Sequence, residues 1–420
     1  MASIVVVGGG YIGIQFAQEL AKQLPSKLAT ITVVEKNDFT FHCVGVPRAL
    51  VDPSFVKHLF IPLKHALPYP HAKIVRGIAE EIQDKHVVVR QIVNDQAEAT
   101  TTNLPFDYLV LATGSSYASP IKVADDQYTR SSVEKALEDT ANSIRAASSV
   151  LVVGGGPVGV EVAAEIACAY PSKRVTILEG NPRLVHNSGL KDSFRQQLSA
   201  KLAQLNVQVV LGERLPKRLT AHNFAATTLV TDKGTEIHSD VQLFCAGATP
   251  NADLIRRLDP KLLASNQAIR VTPGCQLDDA RFPNVYCVGD ASDHPTPKLS
   301  YLGRVQALHV AKELAKVIRN GGHGDVAPFI PPSTDAMLIP LGPHGGVSQL
   351  PVLGGLVVGD FITSNVKSKD YFAAKYFSVW RTNVAGDEVT DKSVWPALAG
   401  AIGVAAIGVL TAVYLGRSPA

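Results

Sequence analysis

Two stretches of the chain carry the same order of apolar and small positions. Ile4 to Val7 and Val150 to Val153 are unbroken apolar runs, mostly β-branched, and each runs straight into three consecutive glycines. Neither run alternates polar with apolar, so both read as strands covered on two faces, as in parallel sheets. A helix-like stretch follows each glycine cluster. A second apolar run then ends in an acid, Ile31 to Glu35 in the first copy and Val175 to Glu179 in the second. The copies lie 146 residues apart, counted from Gly8 to Gly154. Each is a strand–helix–strand unit of the dinucleotide-binding kind, so two nucleotide sites are expected.

Shorter signals surround these units. Phe106 to Gly114 is a strand ending in the small turn Ala112-Thr113-Gly114, and Asp240 to Gly247 echoes it after the second unit. Asn284 to Asp290 is a further strand ending in Gly289-Asp290. Helical spacing runs from Leu302 to Arg319 and stops at Gly321-Gly322-His323-Gly324, which reads as a linker. Residues 335 to 385 hold short β-like runs rich in glycine, then helical spacing from Tyr371 to Trp380, with Lys367, Lys369 and Lys375 in this region.

The expected fold class is therefore α/β. Two Rossmann-like domains, the second inserted in the first, precede a small α+β C-terminal domain and an apolar C-terminal helix. The boundaries read as 1–120 and 250–324 for the first domain, 121–249 for the second, 325–390 for the C-terminal domain and 391–420 for the tail.

Charge narrows the partners. Lys+Arg number 40 and Asp+Glu 37, a net of +3, which leaves no basic excess for a nucleic-acid partner. Charged residues are 18% and apolar residues 46%, outside the range of disordered chains. Five cysteines in 420 residues exclude a disulfide scaffold. An apolar strand within four residues of Met1 leaves no room for a secretory signal, and Ala2 excludes N-myristoylation. The tail is the exception to this ordinary composition. From Val394 to Gly416 there are 23 residues without a charge, with Trp395 and Tyr414 near its ends. At 1.5 Å per residue it would reach about 34 Å as a helix, enough for the hydrocarbon core of a bilayer. A membrane anchor with the catalytic body facing the cytosol is expected, on an organelle surface such as the outer mitochondrial membrane. A helix in a homodimer interface is the other reading of this tail.

In Gly8-x-Gly10-x-x-Gly13 the first glycine permits the turn. The second lets a pyrophosphate approach the backbone, and the third lets helix pack on strand. Glu35, 22 residues after Gly13, is placed to accept hydrogen bonds from a ribose. Gly154, Gly156, Gly159 and Glu179 repeat the set. An acid at Glu179 suits a free 2′-hydroxyl, so NADH is preferred there, with NADPH left open because Arg174 and Arg183 are near in sequence. No histidine or cysteine spacing suits a metal, and none is expected.

Two glycine motifs, the Thr113-Gly114 turn and the Gly289-Asp290 strand end together resemble the two-dinucleotide-binding-domain flavoproteins, over residues 3 to about 320. That resemblance implies FAD in the first site and NAD(P)H in the second, with Asp290 on the ribitol of FAD. Dithiol members carry Cys-x4-Cys. Here Cys43 is followed five residues on by Arg48, so a dithiol relay is excluded. The five cysteines are expected to be buried apolar residues. Phe39 to Leu50, Leu341 to Gln349 and Lys367 to Phe372 resemble the apoptosis-inducing factor family, in its ferroptosis-suppressor and mitochondrion-associated branch. Animal members of that branch carry a myristoylation glycine where this chain has Ala2.

The resemblance implies an NAD(P)H oxidoreductase passing electrons through flavin to a quinone or similar lipid-soluble acceptor. A reductase for a soluble electron carrier, and a slow redox-sensing or pro-death flavoprotein, are the alternatives. Glu161 is expected beside the nicotinamide. His42 is expected at the flavin edge as a proton source, and Arg48 at the FAD pyrophosphate. Phe361, Tyr371, Phe377 and Trp380 are candidates for lining the lipid-side entrance.

Overall fold

Val5, Val6 and their neighbours form a strand because they are β-branched and covered on both faces, and helices and further strands grow from it. The computed structural model describes residues 1–186, 189–333 and 335–389. The first unit runs β1 (Ala2–Val7), α1 (Tyr11–Gln23), β2 (Ala29–Glu35), β3 (Phe39–Phe41), α2 (Val46–Ala49) and β4 (Phe60–Pro62). The meander β5 (Ala72–Gln83), β6 (His86–Val93) and β7 (Gln96–Pro105) follows, then β8 (Tyr108–Leu111). β9 (Ser115–Ser116) and α3 (Arg130–Ala146) lead out of it. The second unit is β10 (Ser149–Val153), α4 (Pro157–Ala169), β11 (Arg174–Glu179), α5 (Asp192–Gln204), β12 (Val207–Leu211), β13 (Thr227–Val230), β14 (Glu236–Ser239) and β15 (Val241–Phe244). The chain returns through β16 (Thr249–Pro250), α6 (Asp253–Leu258), β17 (Val285–Cys287) and α7 (Ser300–Arg319). Last come β18 (Met337–Pro340), β19 (Gly346–Leu350), β20 (Leu356–Val358), α8 (Asp360–Thr363) and α9 (Ala373–Val379).

Seven strands make the first sheet in the order β17-β8-β1-β2-β5-β6-β7. Its β17-to-β5 part is parallel, with Val6 opposite Val33 on one side and Val110 on the other. The β5–β7 part is an antiparallel extension over residues that carry no motif. β17 comes after the whole second unit yet pairs with β8, so the second unit is an insertion in the first. That second unit is a parallel sheet, β12-β11-β10-β15. β9 and β16, on the outgoing and returning chain, pair with each other at the crossing.

β18, β19 and β20 form a three-stranded antiparallel sheet. Beyond α8 the chain makes a π-helical turn, Ser364–Ser368. Tyr371 and Phe372 then take left-handed backbone angles, φ +52° and +68°, immediately before α9. Such angles are rare for bulky side chains and collect at functional sites. Among the described residues no helix is long and apolar enough to cross a membrane. The apolar tail lies outside the described residues.

Candidate active site

The first glycine turn is built by close approach. Gly8 has φ +111°, and a Cβ on it would sit 2.4 Å from the Ala112 carbonyl oxygen. A Cβ on Gly13 would sit 1.9 Å from the Gly8 oxygen. Gly10 differs, because a Cβ there meets nothing within 4 Å. Its missing side chain leaves open space at the N-terminus of α1, where a bound phosphate finds backbone N–H groups and the positive end of the helix dipole. Glu35 Oε2 accepts from Gly9 N at 2.6 Å and its Oε1 from Asn37 N at 3.0 Å.

The second turn repeats this nearly atom for atom. Gly154 has φ +119°, with a Cβ falling 2.6 Å from the Cys245 oxygen; a Cβ on Gly159 would lie 1.9 Å from the Gly154 oxygen, and Gly156 is open. Glu179 Oε2 accepts from Gly155 N and its Oε1 from Asn181 N, both at 2.7 Å. Each acid therefore clamps its own glycine turn. A carboxylate has about four lone-pair sites, so it can hold the turn and a ribose hydroxyl together. Arg183 is exposed and pairs with Asp192.

The other flavin motifs converge on the first turn. Thr113 Oγ1 donates to the Asn251 carbonyl at 2.6 Å, and Asn251 Nδ2 donates back to the Thr113 carbonyl at 2.9 Å, fastening the turn to the returning chain. Gly114 has φ +70° and open space where a Cβ would be. Asp290 accepts from Ser115 Oγ at 2.7 Å and lies 3.5 Å from Lys122 Nζ.

A single cavity of ≈ 550 Å³ joins Gly10, Glu35, Gly114 and Asp290 of the first unit to Pro157 and Glu161 of the second. Its residues fit FAD on three counts. Gly10 and Gly114 leave space open, Asn37 Oδ1 is buried there without a partner, and the wall carries the acid a ribose requires.

At the joint between the units Glu161 is buried, and Lys367 Nζ donates to its Oε1 at 2.7 Å and to the Leu338 carbonyl at 3.0 Å. Burial pushes the Glu161 carboxyl up from its ordinary range, against the pull of Lys367. Both side chains line the cavity. The sequence placed Glu161 correctly on α4 but offered three lysines with no means of choosing among them. The π-helical turn is what aims Lys367 inward, and π-turns often mark functional sites.

Two expected site residues stand one layer back from the cavity. His42 is fully buried, between the Tyr11 hydroxyl at Nδ1 (2.8 Å) and the Tyr371 carbonyl at Nε2 (2.9 Å). Its Nε2 must be the protonated nitrogen, since a carbonyl only accepts, so Nδ1 accepts from Tyr11. Burial lowers its pKa to about 3. A neutral imidazole bonded to a carbonyl braces Tyr11 and does not serve as the proton source expected of His42. Arg48 does not border the cavity either. Its Nε and Nη2 each donate to Glu165 at 2.7 Å, and Nη2 also reaches the Ser368 carbonyl at 3.0 Å. Tyr371 donates to the same Glu165 at 2.8 Å. Arg48 thus ties α2 to α4 and to the C-terminal domain, in place of the pyrophosphate contact expected of it.

The aromatic expectation also shifts. Tyr371 and Trp380 are fully buried and Phe377 nearly so, while Phe361 is exposed. Polar atoms of the two largest are bonded inside, Tyr371 to Glu165 and Trp380 Nε1 to Thr40 Oγ1. The cavity wall is made instead by Tyr11, Phe372 and Tyr376, with Tyr11 stacked on Tyr376 at 4.4 Å. Helical spacing alone does not separate core from cavity rings. All five cysteines are free; Cys245, Cys275 and Cys287 are buried as expected, but Cys168 and Cys43 are only half-buried, and Cys43 borders the cavity. Burial raises the Cys43 pKa, so it is held as the thiol.

Fold and site define a two-nucleotide flavin oxidoreductase that uses FAD and NAD(P)H. The chain belongs to the pyridine nucleotide-disulphide oxidoreductase family, whose pattern matches residues 2–313. It is 31% identical to human ferroptosis suppressor protein 1 over 383 residues, covering 90% of this chain and 95% of the relative. It is 29% identical to apoptosis-inducing factor homolog B of Dictyostelium discoideum over 392 residues, covering 89% and 96%. The sulfide:quinone oxidoreductase of Aquifex aeolicus shares the fold, with a TM-score of 0.69 at 16% identity over 92% of this chain and 93% of that one.

Proposed function

We propose that the protein oxidises NADH and reduces a quinone or similar lipid-soluble acceptor without a redox disulfide. One observation carries this reading. The cavity runs from the first nucleotide turn to the start of α4 in the second unit and bears a single thiol, Cys43, beside a wall of aromatic rings. A disulfide relay takes two sulfurs, so the electrons have to leave to an acceptor that enters the cavity. The planar faces of Tyr11 and Tyr376 and the ring of Phe372 suit a flat apolar acceptor.

The protein's own work is binding, orientation and electrostatics. The open sides of Gly10 and Gly114 receive the FAD pyrophosphate and its surroundings, Glu35 takes a ribose, and Asp290 takes the ribitol hydroxyls. When bound, FAD supplies the two-electron chemistry, accepting hydride from the nicotinamide and passing electrons on to the acceptor. Gly156 and Glu179 hold the second nucleotide. Glu161 and Lys367, locked together at the start of α4, present a carboxylate and an ammonium where the nicotinamide carboxamide arrives. Buried as they are, they exclude water from that end and fix the orientation of the ring.

NADH is the preferred reductant on this reading, because Glu179 repels a 2′-phosphate. Glu179→Ala is expected to raise the NADPH-to-NADH ratio of kcat/KM about tenfold. That corresponds to one charge-assisted hydrogen bond of about 1.5 kcal/mol. Steady-state rates with both nucleotides measure it, and an unchanged ratio would assign the choice to another residue.

The 23 uncharged residues from Val394 to Gly416 support attachment to a membrane, where a quinone resides. Ending the chain at Lys392 should move the protein from the membrane pellet to the supernatant with its flavin retained. Membrane association that survives the truncation removes the tail as the anchor.

A further inference from the structure

Reduction of a quinone to a quinol takes two electrons and two protons. The hydride of NAD(P)H brings both electrons and one proton, and the second proton has to be delivered at the acceptor. His42, which does not line the cavity and is uncharged, is not its source. The aromatic wall holds another group. Lys375, in the first turn of α9, borders the cavity with its Nζ 5.6 Å from the ring centre of Phe372 and 5.5 Å from that of Tyr376. Its place is set by the left-handed pair Tyr371 and Phe372, which turns the chain just before the helix.

Resting on the quinone reading above, we propose that Lys375 is a catalytic residue on the acceptor side, whose ammonium gives the second proton to a quinone oxygen. In the step the N–H bond of the ammonium breaks and an O–H bond forms. The acceptor, already carrying the hydride's two electrons and one proton, becomes the neutral quinol. Lys375 is left as the amine and takes a proton back from water, so the net reaction is NADH + H⁺ + quinone giving NAD⁺ + quinol.

The surroundings make the group suitable. Burial lowers the Lys375 ammonium to about 7, and the positive charge of Arg304 on α7 adds to the shift. An acid near the working pH is the efficient proton donor. Elsewhere on the same cavity, burial raises the Glu161 carboxyl and lowers the Lys298 ammonium. Burial raises Tyr11 on α1, Tyr376 on α9 and the Cys43 thiol, while His42 is neutral down to about 3. Arginine keeps its proton throughout. Because the protonated form donates, quinone turnover should fall as pH rises through about 7.

The test compares the flavin-loaded full chain with Lys375→Met and Lys375→Arg. NADH is the donor, and the acceptors are a short-chain ubiquinone analogue and ferricyanide, which takes electrons without protons. Both variants should lose about 100-fold in kcat for the quinone relative to ferricyanide, the low end of general-acid effects. The limb near pH 7 should disappear in both. A quinone-to-ferricyanide ratio within about twofold of the parent in Lys375→Met overturns the role of Lys375, as does full rescue by Lys375→Arg, which keeps the charge and loses the titration. A parent protein that reduces ferricyanide but no quinone overturns the acceptor reading itself. Flavin content and the thermal midpoint of each variant separate these outcomes from misfolding.

Discussion

Gly10→Val should give a folded, colourless protein. The backbone at Gly10 is extended, φ −74° and ψ −172°, so a valine meets no conformational penalty there. Apart from its chain neighbours, no protein atom lies within 4 Å of the new Cβ either. The side chain would instead occupy the space left for the pyrophosphate over the α1 N-terminus. Losing two charge-assisted hydrogen bonds of about 1.5 kcal/mol each removes about 3 kcal/mol, or roughly a hundredfold in flavin affinity. The visible flavin absorbance per protein should fall to near background while far-ultraviolet circular dichroism stays that of the parent. Gly13→Ala is the contrast, since its Cβ would collide with the Gly8 oxygen and the turn itself would have to move. A Gly10→Val protein that keeps its flavin contradicts the cradle.

The second large effect is on stability. Glu165→Ala leaves the Arg48 guanidinium and the Tyr371 hydroxyl buried without their shared acceptor. Removing one partner of a buried ion pair costs about 3–5 kcal/mol, because the remaining charge stays desolvated. Whole-protein stabilities are about 5–15 kcal/mol, so the loss should be plain in denaturant unfolding. Joint replacement, Glu165→Leu with Arg48→Met, should recover most of it, as apolar substitutes for a buried pair often do. The pair spans α2, α4 and the carbonyl of Ser368, so it sets how the second unit and the C-terminal domain meet across the cavity. A Glu165→Ala variant as stable as the parent would show that the Arg48–Glu165 pair does not strap these units together.

These two sites show what was readable in the chain. The glycine turns and their acids were legible because each is local. The strand, the φ > 0 glycine, the helix start and the closing acid lie within about thirty residues, and spacing alone carries the geometry. The insertion of the second unit was legible for the same reason, as a repeated pattern between two halves of another. The partners at the cavity were not. Glu161 meets Lys367 across 206 residues and His42 meets the Tyr371 carbonyl across 329, and periodicity says nothing about such pairs. Arg48 looked like a phosphate ligand by type and position, and only the fold shows Glu165 already against it. Tyr371 and Trp380 have the spacing of a lined entrance but carry hydrogen-bond partners in the interior, which draws them in.

On the proposed function, electrons pass from NADH to a quinone without protein thiols. This transfer is tested most directly by anaerobic turnover of the purified flavin-loaded chain carrying Cys43→Ala, with NADH and a short-chain ubiquinone analogue. One quinol should form per NADH consumed, at a rate close to that of the parent. NADH oxidation that yields no quinol, or quinol formation that disappears with the Cys43 thiol, would contradict the proposed function.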